Sequence, residues 1–473
     1  MVDVPLPTLS SPAEFSESGG RLINTYVEKL NDGRIARKRV AGLREIVEIA
    51  DYTHCRGFLN INENVLAALD NRLVYITSNG DGTYSSTNLG GLSGTGQVYF
   101  ARNNKSPTPD IVAVTDSTAY LLTTSGAPAS YPDADVGSPI AVCFLGGYFV
   151  FVYGDGRMRT TALNDTAINT LDTAFAESKP DGLLRAIPLG RDLIAFGKET
   201  TEIWRNTGNL VAFPFTFLDT LSYGIASSSA VAGFEAGFTQ PPMFVGDDNK
   251  VYQMRGYTPT PVSNHTVERD IENLVDKNEL EACVYMHAGH PCWVLSCQSW
   301  TWEYDYSTGG WYERTSYEQS RWRGSFTVKA FGSWLVGDAY NGKMYLVDPE
   351  YYKEGNDPLI ATVISATMSA FSTGASWHAL NIDMNTGVGV RTGAVPIETD
   401  PQCMISVSRN GGVTFENPIR RAIGKEGDYR AQIRINRLGK VSNKGFQVRI
   451  DVSDPVNFTL YAADADIVKL ANA

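Results

Sequence analysis

A turn–strand unit recurs along this chain and constrains its fold more than any other feature. The clearest copy runs from Gly190 to Gly197 (GRDLIAFG) and continues through Thr201-Glu202-Ile203-Trp204. Further copies begin at Asp70, Asp116, Gly146, Gly246, His290 and Gly332. Each sets a tight Gly/Asp-type turn against an alternating apolar strand, the signature of a β-hairpin. From Asp70 to Gly332 the steps average about 44 residues, close to one four-stranded propeller blade, and they range irregularly from 30 to 56. The spacing predicts an all-β fold: a β-propeller of about six blades made of diverged copies, one of which an N-terminal strand can close. Circular closure leaves few strand edges exposed. Such a disc serves binding, assembly or catalysis equally well.

The 473 residues, 19 % of them charged and 43 % hydrophobic, describe an ordinary globular chain with room for more than one core. The net charge of −12 is unevenly spread. Arg21 to Arg44 holds seven Lys/Arg against two acids, and Cys403 to Ile450 holds ten against three. The rest therefore carries 23 basic and 47 acidic groups, a net of −24. An acidic body between two basic segments reads either as solvated surface or as contact with an acidic neighbour, another copy of the chain or nucleic acid. Six cysteines in a chain this long make no disulfide framework, and Cys143 sits in a strand-like run where a thiol acts as a small apolar group. The opening MVDVPLPTLSSPAEF has no basic-then-apolar leader, and no apolar run approaches the ~20 residues that span a bilayer. The expectation is a soluble protein made in a cytoplasm.

Three stretches follow. Residues 1–45 read as an extended N-terminal arm with a contact strand, turning at Asn31-Asp32-Gly33. Residues 46–358 carry the propeller. Residues 359–473 form a β-rich sheet or sandwich, with strands in CMISVSR, VTFEN, RAQIRINRL, FQVRIDV and FTLYAAD. The tail from Asp464 to Ala473 is expected to fray or to lie on a neighbour. Between Thr266 and Ala282 the spacing of Val267, Ile271, Leu274 and Val275 predicts one short amphipathic helix at the rim between blades.

No motif yields a persuasive active site. Ser408 to Phe415 (SRNGGVTF) resembles the Asp-box turn of sialidases, with Asn410 in place of Asp, and that motif shapes a hairpin rather than doing chemistry. A sialidase also needs an arginine cluster and a Tyr/Glu nucleophile pair. Cys283, His287, His290, Cys292 and Cys297 crowd together and raise zinc, but no CxxC pair is present, so a packed hairpin with buried thiols is favoured. Asp247-Asp248-Asn249 and Asn79-Gly80-Asp81-Gly82 lack the full ligand set of a calcium loop and read as turns. The aromatic run Trp300 to Trp322 reads as core packed between blades, with a protein interface or sugar platform as the alternatives. No catalytic residue, metal or cofactor is expected.

A family resemblance becomes visible at the central copy. Ser178 to Leu184 (SKPDGLL), Gly190 to Gly197, Thr201 to Trp204 and Tyr223-Gly224-Ile225-Ala226 resemble the tail accessory factors of short-tailed bacteriophages. These are also called packaged-DNA stabilisation or tail nozzle (hub) proteins. The segments NTYVEKL…RVAGL and IRRAIGKEGDYRAQIRINRLG…FQVRI are similar to the ends of such proteins. The resemblance implies a virion tail protein assembled in the host bacterial cytoplasm. It implies a homo-oligomeric, hexameric ring below the portal adaptor (the head-to-tail connector). That ring prolongs the channel for double-stranded DNA, retains the packaged genome without reading its sequence, and anchors tail fibres or spikes. An acidic wall suits a sliding duplex, since each Lys/Arg–phosphate contact adds affinity through counterion release. Inter-subunit or adaptor contacts are expected at Arg37, Lys38 and Arg39 and at Arg420, Arg421, Arg434 and Arg437. The alternative is a carbohydrate-binding or sialidase-like propeller used in host recognition.

Overall fold

Successive small sheets that must each bury both faces can pack face to face around a ring, and the chain does so. The computed structural model describes residues 1–12, 19–176, 178–209, 212–369, 374–390, 395–441 and 445–469. Among them seven antiparallel sheets form the blades, starting at strands Cys55–Ile61, Tyr99–Arg102, Ala141–Leu145, Leu183–Leu189, Val231–Ala232, Glu281–His287 and Gly324–Ala330. The seven turn–strand copies fall one per blade. In blades one, two and five the copy sits at the second hairpin, and in the others at the first. That alternation accounts for the irregular pitch. The short step from Asp116 to Gly146 passes from a second hairpin to a first, and the long step from Gly190 to Gly246 does the reverse.

The seventh blade takes only three strands from its own stretch, Gly324–Ala330, Ser333–Asp338 and Lys343–Asp348. Its outer strand is Gly42–Glu48, paired antiparallel to Lys343–Asp348. The ring is thus closed by a strand from the other end of the sequence, with Leu43 buried against the core shared by blades five to seven.

Adjacent blades are also pinned by polar contacts. Asp192 of blade four accepts hydrogen bonds from Arg205 Nε (3.0 Å) and from Tyr257 Oη of blade five. Burial pushes this carboxyl upward, but the Arg205 and Tyr257 donors outweigh it and hold Asp192 below its ordinary value. A depressed folded value contributes stability above the unfolded value and loses it as pH falls through the folded one. Asp192→Asn is therefore expected to lower the melting temperature by roughly 2 °C at neutral pH. In melting scans against pH, the difference should shrink as pH drops below about 4.

The extended N-terminal arm is woven into the second domain. Val2–Asp3 pairs with Thr459–Lys469, and Ile35–Arg39 pairs with the same strand at Arg37↔Leu460. With Thr25–Lys29, Ala375–Met384 and Ile433–Val441 these strands make one sheet of a β-sandwich. The other sheet runs Arg21–Ile23, Ala361–Ile364, Gln447–Val452, Gln402–Ser408, Ile419–Ala422, and it continues the sixth blade without a break. Ile23 pairs in parallel with Glu313 and antiparallel with Thr362. Propeller and sandwich therefore share one nine-stranded sheet. Leu22, Val363, Leu380, Ile405, Ile435 and Ile450 fill the space between the sandwich sheets, with the Trp377 and Phe446 rings stacked 3.8 Å apart.

Two local expectations are corrected. The segment VTFEN is irregular, and the strand comes later, at Ile419–Ala422. The tail does not fray through Lys469. It forms an eleven-residue strand inside the sandwich, since Leu460 and, past a bulge, Ala463 and Ala465 face the core. Residues 470–473 lie outside the described residues. The predicted helix is present as His265–Glu272, capped by Asn264 and packing Val267 and Ile271 inward, whereas Val275 lies beyond it and is fully exposed.

Candidate functional site

Two places gather chemistry-bearing side chains: an enclosed polar centre in blades six and seven, and the basic strands of the sandwich. In the centre, Tyr285 Oη donates to Glu303 Oε2 (2.5 Å), and Arg314 Nη1 donates to the same oxygen (3.1 Å). The Arg314 guanidinium lies 4.7 Å from the Trp322 ring and 3.7 Å from Glu354. Trp322 Nε1 donates to Glu354 Oε1, Arg323 reaches Glu354 and Tyr345, and Tyr345 Oη donates to Asp338. Glu354 belongs to Lys353–Glu354, which pairs with the closing strand at Leu43. The network thus ties blades six and seven to the strand that closes the ring.

A tyrosine bonded to a glutamate beside an arginine has the makings of a glycosidase nucleophile. Here it is enclosed: Tyr285, Glu303 and Arg314 are each 1 % exposed or less. Burial pushes the Tyr285 hydroxyl well above its usual value, the wrong direction for a nucleophile. The aromatic run around it is core as well, with Trp302, Tyr304, Trp311, Tyr312 and Trp322 buried and Tyr317 exposed. The Asp-box-like turn lies in the sandwich, where Ser408 Oγ and Asn410 Oδ1 accept from Gly412 N and Thr414 N. Asp247 and Asp248 accept from Gly224 N, Lys250 N and Tyr252 Oη, and Asp81 accepts from Thr83. All three loops are turns held by these bonds, and Asp247 also ties its turn back to Gly224. All six cysteines are buried free thiols.

The seven basic residues singled out from sequence separate into two groups. Arg37 and Arg39 are each 6 % exposed. Arg37 donates to the carbonyls of Leu6, Pro7 and Tyr461, and Arg39 to those of Val452, Asp454 and Val456. Desolvation pushes both guanidinium values down to about 10, and both remain charged at neutral pH. They tie the N-terminal strand to the C-terminal ones from inside. Lys38, between them, pairs with Glu28.

The other four stand on the edges of the sandwich. Ile419–Ala422 ends one sheet and Ile433–Val441 ends the other. Arg420, Arg434 and Arg437 are exposed. Arg421 bridges the two edges, donating from Nε to the Arg434 carbonyl (3.0 Å). Two of the residues that raised zinc from sequence, His287 and Cys292, meet Glu303, which the sequence did not single out, and their ligand atoms lie within 4.8 Å of one another. The only advance signal of this cluster was the His/Cys crowding.

The class these features define is an all-β propeller joined through a shared sheet to a β-sandwich. Family comparison makes it specific. The family models described as bacteriophage P22 Gp10, beta-propeller, and bacteriophage P22 Gp10, beta-sandwich, match residues 44–352 and 362–468. The chain belongs to the bacteriophage P22 Gp10 family and is a structural protein of the phage tail. No curated protein matches the sequence. Among solved structures it is similar to the WD40 propeller of Doa1, at 10 % identity and a TM-score of 0.43, over 65 % of this chain and 96 % of that one. It is also similar to the designed protein Ika8, at 11 % and 0.37, over 64 % and 99 %. Chaetomium thermophilum Raptor matches at 10 % and 0.45, over 66 % and 29 %. Among the described residues no helix is long and apolar enough to cross a membrane.

Proposed function

We propose that this tail protein assembles into a homo-oligomeric ring, a hexamer by family resemblance, that extends the portal DNA channel. The ring retains the packaged genome and anchors tail fibres or spikes, with the portal adaptor above it and double-stranded DNA passing through without sequence readout. It performs no catalysis, and it assembles in the host bacterial cytoplasm. The observation that carries this reading is the match of both domains to one phage tail family.

The charge distribution supports the ring. The sandwich offers two open edges bearing Arg420, Arg434 and Arg437, while the chain outside the two basic segments carries a net −24. A basic edge meeting an acidic propeller flank is a head-to-tail contact, the kind that closes into rings. Arg37 and Arg39 support it indirectly, by fixing the sandwich on which that edge stands.

Reversing Arg420, Arg434 and Arg437 to glutamate is expected to weaken ring formation roughly tenfold or more. Native mass spectrometry and negative-stain microscopy, with and without the portal–adaptor complex, read the result. The melting temperature should stay within a degree or two of the parent, since the three side chains are exposed. Rings that form unchanged would show that this edge is not the interface. A chain that stays monomeric even with the portal–adaptor complex would overturn the ring itself.

A further inference from the structure

The first three strands of the sixth blade hold polar atoms that the chain itself leaves without hydrogen bonds. His287 Nδ1 and Nε2 and Glu303 Oε1 have no hydrogen-bond partner, although the two side chains are 1 % and 0 % exposed. Buried polar atoms without partners are destabilising and call for an ion or water. The strand register explains how they meet. Tyr285 pairs with Cys292, and Cys292 with Asp305, so His287, Cys292 and Glu303 stand on one face of three adjacent strands as diagonal neighbours.

We propose that His287, Cys292 and Glu303 bind one zinc ion, which staples the sixth blade where the sandwich joins it. Imidazole, thiolate and carboxylate together suit an ion of borderline softness. Tetrahedral zinc, with bonds of about 2.0–2.3 Å, sets its ligand atoms roughly 3.3–3.6 Å apart. His287 Nε2 and Glu303 Oε1 are 4.0 Å apart, and no pair in the set exceeds 4.8 Å, so small side-chain rotations close the site.

Charge argues the same way. Apart from the His290–Asp305 pair, the enclosed carboxylates Glu303, Glu354 and Asp338 face two guanidinium groups, Arg314 and Arg323. With Cys292 as thiolate, its proton released to solvent, four enclosed negative charges face two positive ones, and Arg323 is shared with the part-exposed Asp357 as well, so the excess of negative charge favours a divalent ion. Burial pushes the Glu354 and Asp338 carboxyls above their ordinary values, as expected where negative charge is enclosed. Entry is available from a cavity of about 310 Å³ that His287 lines with Tyr26, Lys38 and Tyr461. The fourth position falls to a water from that side. The Tyr26 ring, on a sandwich strand, lies 4.9 Å from the His287 ring, so the ion would stiffen the junction.

The test is elemental analysis of the full chain purified from zinc-supplemented cells, together with cobalt substitution. The expected result is about one zinc per chain. The cobalt form should show a thiolate-to-cobalt charge-transfer band that Cys292→Ser abolishes. His287→Gln should reduce bound zinc at least tenfold. Should either variant fail to fold, the wild-type chain stripped by a chelator still decides: its melting temperature should fall, and zinc but not magnesium should restore it. A folded wild-type chain that carries no zinc would overturn the site. So would undiminished zinc in folded Cys292→Ser, or a melting temperature indifferent to stripping.

Discussion

Replacing Arg314 with alanine is expected to lower the stability of the propeller by about 3–5 kcal/mol. The side chain is 1 % exposed and lies between two carboxylates that are themselves wholly buried, 3.1 Å from Glu303 and 3.7 Å from Glu354. Burial alone would weaken its hold on its proton. Tyr285, Glu303 and Glu354 reverse that and hold the guanidinium firmly charged. Removing it leaves Glu303 without its guanidinium counter-charge in a place water does not reach and Glu354 with Arg323 alone, and it takes the cation from the face of Trp322. Arg314→Lys keeps the charge but lacks the planar fork that reaches Glu303 and Glu354 together, so it should lose roughly half as much. The measurement is the urea midpoint of each variant followed by tryptophan fluorescence, since Trp293, Trp311 and Trp322 are all buried in this region. An alanine variant with an unchanged midpoint would mean the centre is held by packing and not by charge.

That centre also marks where sequence reading ran out. The hairpins were legible because turn geometry is local. Gly190 and Gly332 adopt positive φ at the turns they were expected to make, and Asp70 and Asp116 do the same at theirs. The short helix and the aromatic core were legible for the same reason, since apolar spacing reports directly on which face is buried. What could not be read was partnership across strands. Glu303 meets Cys292 only because of the register of three strands, and spacing along the chain carries no record of that. The basic triplet Arg37-Lys38-Arg39 looks like a surface patch, yet alternation in a strand turns two of the three inward. The carbonyls they serve come from Leu6 and Pro7 at one end and Val452 to Tyr461 at the other. The sandwich was visible as C-terminal strands, but its N-terminal members lie more than three hundred residues away in sequence. Long-range pairing of this kind has no local signature, and the chain meets it twice.

Deleting residues 1–48 should therefore damage both domains at once. The deletion removes Gly42–Glu48, leaving Lys343–Asp348 as an open edge and the ring with an incomplete seventh blade. It also removes Arg21–Ile23, the strand through which blade six continues into the sandwich, and with it the Arg21–Glu313 ion pair and the bonds from Asn24 to the Thr315 and Ile360 carbonyls. Leu22, Tyr26, Val27 and Leu43, all buried, would leave holes in two cores. Each lost apolar side chain costs about 2–5 kcal/mol when its site cannot collapse, so four of them exceed the stability of a typical domain. The expected outcome is a chain that aggregates or is rapidly degraded, whereas the full-length protein yields a protease-resistant body in limited proteolysis. The point substitution Leu43→Ala separates the two roles. It should lower the propeller's urea midpoint by an amount corresponding to about 2–5 kcal/mol while the sandwich unfolds as before. A truncated chain that still gives a resistant fragment from about residue 49 to 358, with the parent's midpoint, would show that six complete blades and an open seventh are enough.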